Sequence, residues 1–202
     1  EWLINYSGGF IKRGIIGEVS IFFSSILDQN LRDVIYIFQL LILVIYYILI
    51  YFFFKSLYLE RYFLLAIFSP IFIIYPVAET EILARKEVFI FVLFILHTLI
   101  PPLNNNLIRI SKLTLLPLSV LIWEPVIFYL PLWIFIDLVK FKIKNFNKNL
   151  FNEIIFYFPA LFIAIIFIIN PLTSEEHFQM EKVLNKEFNE VCYMSCALLK
   201  SK

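Results

Sequence analysis

Long apolar runs separated by short polar clusters set the pattern of this chain. Residues 34–54 are apolar with Gln39 as their one strongly polar member. At roughly 1.5 Å of rise per residue, that run is long enough to cross a hydrocarbon core of about 30 Å. Residues 62–78 form a shorter run interrupted by Pro70 and Pro76, and residues 88–103 a third, with His97 near its far end and Pro101-Pro102 closing it. Residues 113–139 are apolar but punctuated by Pro117, Glu124-Pro125 and Pro131, and residues 154–169 contain Pro159. Proline bends a helix by removing a hydrogen bond, and membrane helices accept this where neighbours satisfy the freed carbonyls. The pattern predicts an all-α fold: a polytopic transmembrane helical bundle of five or six spans, with interfacial helices.

Two stretches need separate treatment. Residues 113–139 read either as one kinked span or as two short helices, 113–123 and 126–139, turning at Trp123-Glu124-Pro125. A glutamate in mid-lipid is costly, which favours the turn. Ile15 to Leu27 is apolar but too short for a span, so it predicts an interfacial or re-entrant helix from near Gly14 to about Asp28-Gln29-Asn30. Asn104 to Lys112, with Arg109, reads as a loop or surface helix.

The membrane domain is expected over 1–170. Beyond it, Thr173 with Glu176 three residues on resembles a capping box. Met180, Leu184, Phe188, Val191 and Leu198 follow at helical spacing, with Glu181, Lys182, Lys186 and Glu190 between them. Residues 171–202 therefore predict an amphipathic helical tail. Lys140, Lys142, Lys144 and Lys148 form the strongest basic run, which the positive-inside rule places in the cytoplasm. The tail then lies outside it. With a turn at Glu124, the polar opening, the 79–87 cluster, Glu124 and the tail share the outer face. With a single span at 113–139, the opening and the 79–87 cluster face inward. The Lys and Arg counts of the two arrangements are too similar to choose between them. The first gathers every polar cluster on one face.

Composition agrees with this pattern. Hydrophobic residues make up 61% of the 202 and charged residues 16%, and mean hydropathy is +0.87. Soluble domains run near 45–50% apolar and about 25% charged. A domain of this size cannot bury so much Ile, Leu and Phe. A net charge of +1 argues against nucleic acid as a partner and leaves membrane lipids as the expected surroundings. The chain opens on Glu1 with no basic segment ahead of a short apolar one, so no cleavable signal peptide is expected, and a piece of a longer protein is. Plasma-membrane, multi-pass localisation follows.

Candidate chemistry lies in the polar clusters. All four glycines fall between Gly8 and Gly17, around Lys12-Arg13 and just ahead of Glu18. Two cations on a glycine-rich turn near a helix start can hold a phosphate, and Glu18 can accept a proton. The plainer role is an anchor on lipid headgroups. Glu79, Glu81, Arg85, Lys86 and Glu87 form the second cluster, where Glu81 and Arg85 are spaced to pair on one helical face. Such carboxylates serve as a general base or hold a divalent metal through oxygen, or compensate their neighbours in a solvated loop. The sequence assigns no cofactor; a divalent metal is the candidate, and no metal-ligand spacing marks its ligands. Glu124 is a candidate as an acid within an apolar run, or else sits with Trp123 at headgroup level. His97 reads first as a packed polar residue. Cys192 and Cys196, four apart, are poorly placed for a bridge within a helix. No Walker loop, GxSxG, HExxH or dinucleotide fingerprint occurs.

The stretch Asn5-Tyr6-Ser7-Gly8-Gly9-Phe10-Ile11-Lys12-Arg13-Gly14-Ile15-Ile16-Gly17-Glu18 resembles the GGF-x-RRG-x-x-G element of a group of poorly characterised bacterial polytopic membrane proteins. Ala84-Arg85-Lys86-Glu87 resembles that group's GRK-acid element before a span. Trp123-Glu124-Pro125 resembles its His-Glu turn, with Trp123 where a histidine is usual. The group is similar in layout to multi-span glycosyltransferases and polysaccharide polymerases that use polyprenyl-linked sugars. The resemblance implies an enzyme of envelope glycan assembly. In it Lys12, Arg13, Arg85 and Lys86 bind the lipid-linked diphosphate. Glu18, Glu79, Glu81 or Glu87 supplies the base, and Glu124 assists. The alternative is a non-catalytic membrane component or a transporter, for which only Gln39, His97 and Glu124 stand as polar groups within the spans.

Overall fold

The computed structural model describes residues 2–55, 85–102, 104–141, 153–170 and 172–191. The expected span at 62–78, Glu79 and Glu81, the lysines at 142, 144 and 148, and both cysteines lie outside the described residues. The described chain is helical, with no β-strand. Its helices are α1 (Ile15–Leu27), α2 (Leu31–Lys55), α3 (Lys86–Leu99), α4 (Asn105–Ile122), α5 (Leu130–Lys140), α6 (Phe158–Ile169) and α7 (Ser174–Phe188), with 3-10 turns at Glu124–Tyr129 and Ile155–Tyr157.

Local chemistry sets these boundaries. Asp28 turns left-handed (φ 51°, ψ 42°) and its N–H returns to the Ser24 carbonyl, closing α1. Asn104 starts α4 by accepting from the Leu107 N–H at 3.2 Å. Residues 105–112, expected as a loop or surface helix, are therefore the first turns of a longer helix. Ile108 and Lys112 face inward on it and are fully buried. The apolar run 113–139 is divided at Trp123, whose extended backbone ends α4 before Pro125 enters the 3-10 turn. Thr173 and Glu176 form a capping box at the start of α7.

α2 packs on α3, α3 on α4, and α4 on α6, while α1 lies against α2 and α4. Three apolar clusters hold the assembly. One joins Trp2, Ile4, Ile11, Leu31, Leu93 and Ile122 to Met180 and Leu184 of α7. A second gathers Leu116, Val120, Trp133, Tyr157, Ala160 and Phe167. A third lies between α2 and α3 around Ile42, Tyr46, Val88 and Val92.

Among the described residues one helix, α2, is long and apolar enough to cross a membrane, and only 22% of its apolar window is buried. Its outward side presents Tyr36, Ile37, Leu41, Val44 and Ile48, all exposed. Phe135 and Val139 of α5 and Phe158, Phe162, Ile165 and Ile168 of α6 are exposed as well. A monomer in water rarely shows so much contiguous apolar surface.

Candidate functional site

Polar side chains collect at two ends of this bundle. The first end is built on the glycine-rich opening. Gly17 is placed against residue 4: a methyl there would come within 1.9 Å of the Ile4 carbonyl oxygen. Only glycine lets the opening segment lie this close to α1. Gly8 plays the same part against α7, where a methyl would meet the Glu176 carbonyl oxygen at 2.1 Å. Glu18 accepts the Tyr6 N–H at 3.0 Å, fastening the segment to the first turn of α1. Burial, and then the Glu18 carboxylate, push the Tyr6 hydroxyl up to about 12, so the phenol stays neutral.

Arg13 stands at the centre of this end. Its φ of 65° is a left-handed conformation that costs a non-glycine residue roughly 1 kcal/mol. Two ties hold it there. The guanidinium Nε and Nη2 donate to the two Glu124 carboxylate oxygens at 2.8 and 2.9 Å. The Arg13 carbonyl accepts from the fully buried Lys86 ammonium at 2.6 Å. Lys12 lies 3.8 Å from the same Glu124 oxygen. The opening, the start of α3 and the turn after α4 thus meet, though Arg13 and Glu124 are 111 residues apart. Arg85 is exposed at the N-cap of α3.

Glu87, next to Lys86, lines a cleft of about 130 Å³ with Phe91, Phe94, Trp123, Tyr129 and Trp133. Its Oε2 is buried and has no hydrogen-bond partner among the described residues. Lys12, Arg13, Lys86, Glu87 and Glu124 are brought to this end directly, and Glu18 stands in the first turn of α1, where it holds the opening segment. Among the described residues no group of three or more His, Cys, Asp or Glu is arranged to hold a metal.

The second end is a buried charge network. Lys112 is fully buried, with its ammonium 2.6 Å from Glu153 Oε2 and 3.0 Å from Asp137 Oδ2. The rings of Phe141, Phe156 and Tyr157 surround it at 5.2–5.4 Å. Arg109 donates to Glu153 Oε1 at 2.7 Å, and the Tyr157 hydroxyl donates to Asp137. Two cations therefore face two carboxylates, the arrangement that buried charge requires. His97 extends the network: Nε2 lies 3.1 Å from Asp137 Oδ1 and Nδ1 2.7 Å from Ser111 Oγ. A carboxylate only accepts, so Nε2 carries the hydrogen. The Ser111 hydroxyl also lies 2.7 Å from the Ile108 carbonyl, and its single hydrogen serves one neighbour or the other. The Lys140 ammonium closes the end of α3 by donating to the His97 carbonyl.

Sequence reasoning missed Asp137, Glu153, Lys112 and Tyr157, and gave His97 a packing role. Asp137 within an apolar run was the available signal. Nothing in the spacing joins residues 97, 112, 137 and 153. Trp133 links the two ends, lining the Glu87 cleft and lying 4.6 Å from the His97 ring, centroid to centroid. From Glu87 to His97 along α3 is about 15 Å, half the depth of a hydrocarbon core.

Set against protein-family models, curated proteins and solved structures, the chain matches none.

Proposed function

We propose that this chain is an integral, multi-pass membrane protein that acts on a phosphate-bearing lipid at the Arg13–Glu124 end. The substrate class is a polyprenyl-linked sugar and the reaction a glycosyl transfer of envelope glycan assembly. The membrane part rests on the long apolar α2 and on the exposed apolar faces of α2, α5 and α6. The site part rests on one observation. Lys12, Arg13, Lys86, Glu87 and Glu124, scattered along the sequence, meet beside an apolar cleft. Lys12, partly exposed and loosely held by Glu124, is the cation nearest to hand for a diphosphate. Glu87, with a carboxylate oxygen unengaged among the described residues, is the group to accept a proton from an acceptor hydroxyl. The substrate class and the reaction come from the motif resemblance.

A second reading has its own support. Both Glu124 oxygens are engaged by Arg13, as in a clamp that fixes the opening segment in a non-catalytic membrane component. Glycan-deficient cells complemented with Lys12→Ala or Glu87→Gln separate the two. Loss of glycan at normal protein level supports catalysis. Unchanged glycan with both variants leaves the clamp.

A further inference from the structure

The cleft beside Glu87 has an unusual lining for a phosphate site. Five aromatic rings, Phe91, Phe94, Trp123, Tyr129 and Trp133, surround one carboxylate, and among the described residues none that lines it is a cation. Aromatic faces carry negative potential and attract organic cations. Glu87 stands in the first turn of α3, where the helix end favours negative charge. Its Oε2 is buried without a partner among the described residues, which is costly unless a donor arrives. An anion is repelled here, and a cation with an apolar body is matched on every wall.

We propose that this cleft binds the ammonium group of a lipid headgroup. The volume of about 130 Å³ suits a small organic ammonium. The mouth points to lipid as the source, because the rim residues Phe91, Tyr129 and Leu132 are about half exposed, at 50%, 47% and 51%. They continue the apolar surface carried by Phe128 and Phe135. The headgroup's own phosphate finds Lys12 nearby, since Lys12 lies against Glu124, the chain neighbour of Trp123. The inference rests on the membrane reading but not on sugar chemistry. In a glycosyltransferase the headgroup occupies the resting cleft and competes with the acceptor for Glu87.

The test uses the full chain with Trp2→Phe, so that the remaining tryptophans are the two in the cleft. It is placed in nanodiscs of phosphatidylglycerol and titrated with tetramethylammonium chloride while tryptophan emission is read. A saturable change is expected, with none from sodium chloride at equal ionic strength. Glu87→Gln should weaken binding about tenfold or more, and Phe91→Leu about threefold, both with unchanged far-UV circular dichroism. Phosphatidylethanolamine in the disc should compete and weaken the apparent tetramethylammonium affinity. No saturable change, or Glu87→Gln equal to the parent, overturns the cleft assignment. Tetramethylammonium binding that is indifferent to phosphatidylethanolamine makes the ligand a water-borne amine and overturns the lipid source. A chain that stays in solution without detergent yet binds tetramethylammonium overturns the membrane reading and leaves the cleft.

Discussion

Replacing Arg13 tests how the first end is held together. Arg13 makes two charge-assisted bonds to Glu124, at 2.8 and 2.9 Å, with side chains only 22% and 20% exposed. Exposed ion pairs contribute about 0.2–1 kcal/mol, and losing one partner of a buried pair costs about 3–5 kcal/mol. A one-fifth exposed, bidentate pair falls between, at about 2 kcal/mol of coupling. For a chain of this length that is roughly 4–8 °C in melting temperature. Arg13→Ala loses the pair and keeps the left-handed backbone (φ 65°). Arg13→Gly loses the pair but recovers roughly 1 kcal/mol of that backbone cost, so it should melt about 2–4 °C above Arg13→Ala. The assay is thermal unfolding in detergent by far-UV circular dichroism, on Arg13→Ala, Glu124→Gln, the double variant and Arg13→Gly. The double variant should be little worse than either single one. Fully additive losses would show that Arg13 and Glu124 are not coupled, and Arg13→Gly melting below Arg13→Ala would show that the left-handed backbone carries no cost.

Other outcomes follow from the same contacts. Gly17→Ala places a methyl 1.9 Å from the Ile4 carbonyl oxygen. It should cost about 1–3 kcal/mol or more and raise hydrogen exchange across residues 2–14; unchanged exchange would contradict the contact. Lys112→Met leaves Asp137 buried without its ammonium partner and Glu153 with Arg109 alone, at about 3–5 kcal/mol. Folded yield should collapse and partly return in Lys112→Met/Asp137→Asn/Glu153→Gln. The Thr173 backbone N–H and hydroxyl hold the Glu176 carboxyl below its ordinary 4.5. The capping contribution is therefore complete above that value and lost as pH falls through the lower folded value. Exchange at residues 174–177 should rise over that acidic window and be flat in Glu176→Gln.

What was legible in the sequence followed from local rules. The ends of α1 and the cap at Thr173 are written in neighbouring residues. The Trp123-Glu124-Pro125 break is carried by a proline and a charge. The glycine-rich opening signalled close approach, though not to what: its contacts are Ile4 and Glu176, the second more than 150 residues away. The partners of Glu124 were invisible for the same reason, since i,i+4 spacing reports only contacts within one helix. Lys112 was misread because polar Asn104-Asn105-Asn106 looks like a loop, whereas Asn104 is a cap that starts a helix. The buried network escaped notice because its members come from four separate segments, around residues 97, 109–112, 137–140 and 153–157, that no local spacing joins.

The proposed membrane protein has its Arg13 end on one face and the start of α4 toward the other, and single-cysteine accessibility checks this arrangement. In a background with Cys192 and Cys196 replaced, one cysteine at Ser7 marks the Arg13 end and one at Asn106 marks the Lys112 end; both positions are exposed. Intact cells are treated with a membrane-impermeant thiol reagent. Ser7→Cys should react, and Asn106→Cys should react only after permeabilisation. Labelling of both positions in intact cells, or recovery of the chain in the soluble fraction, would contradict it.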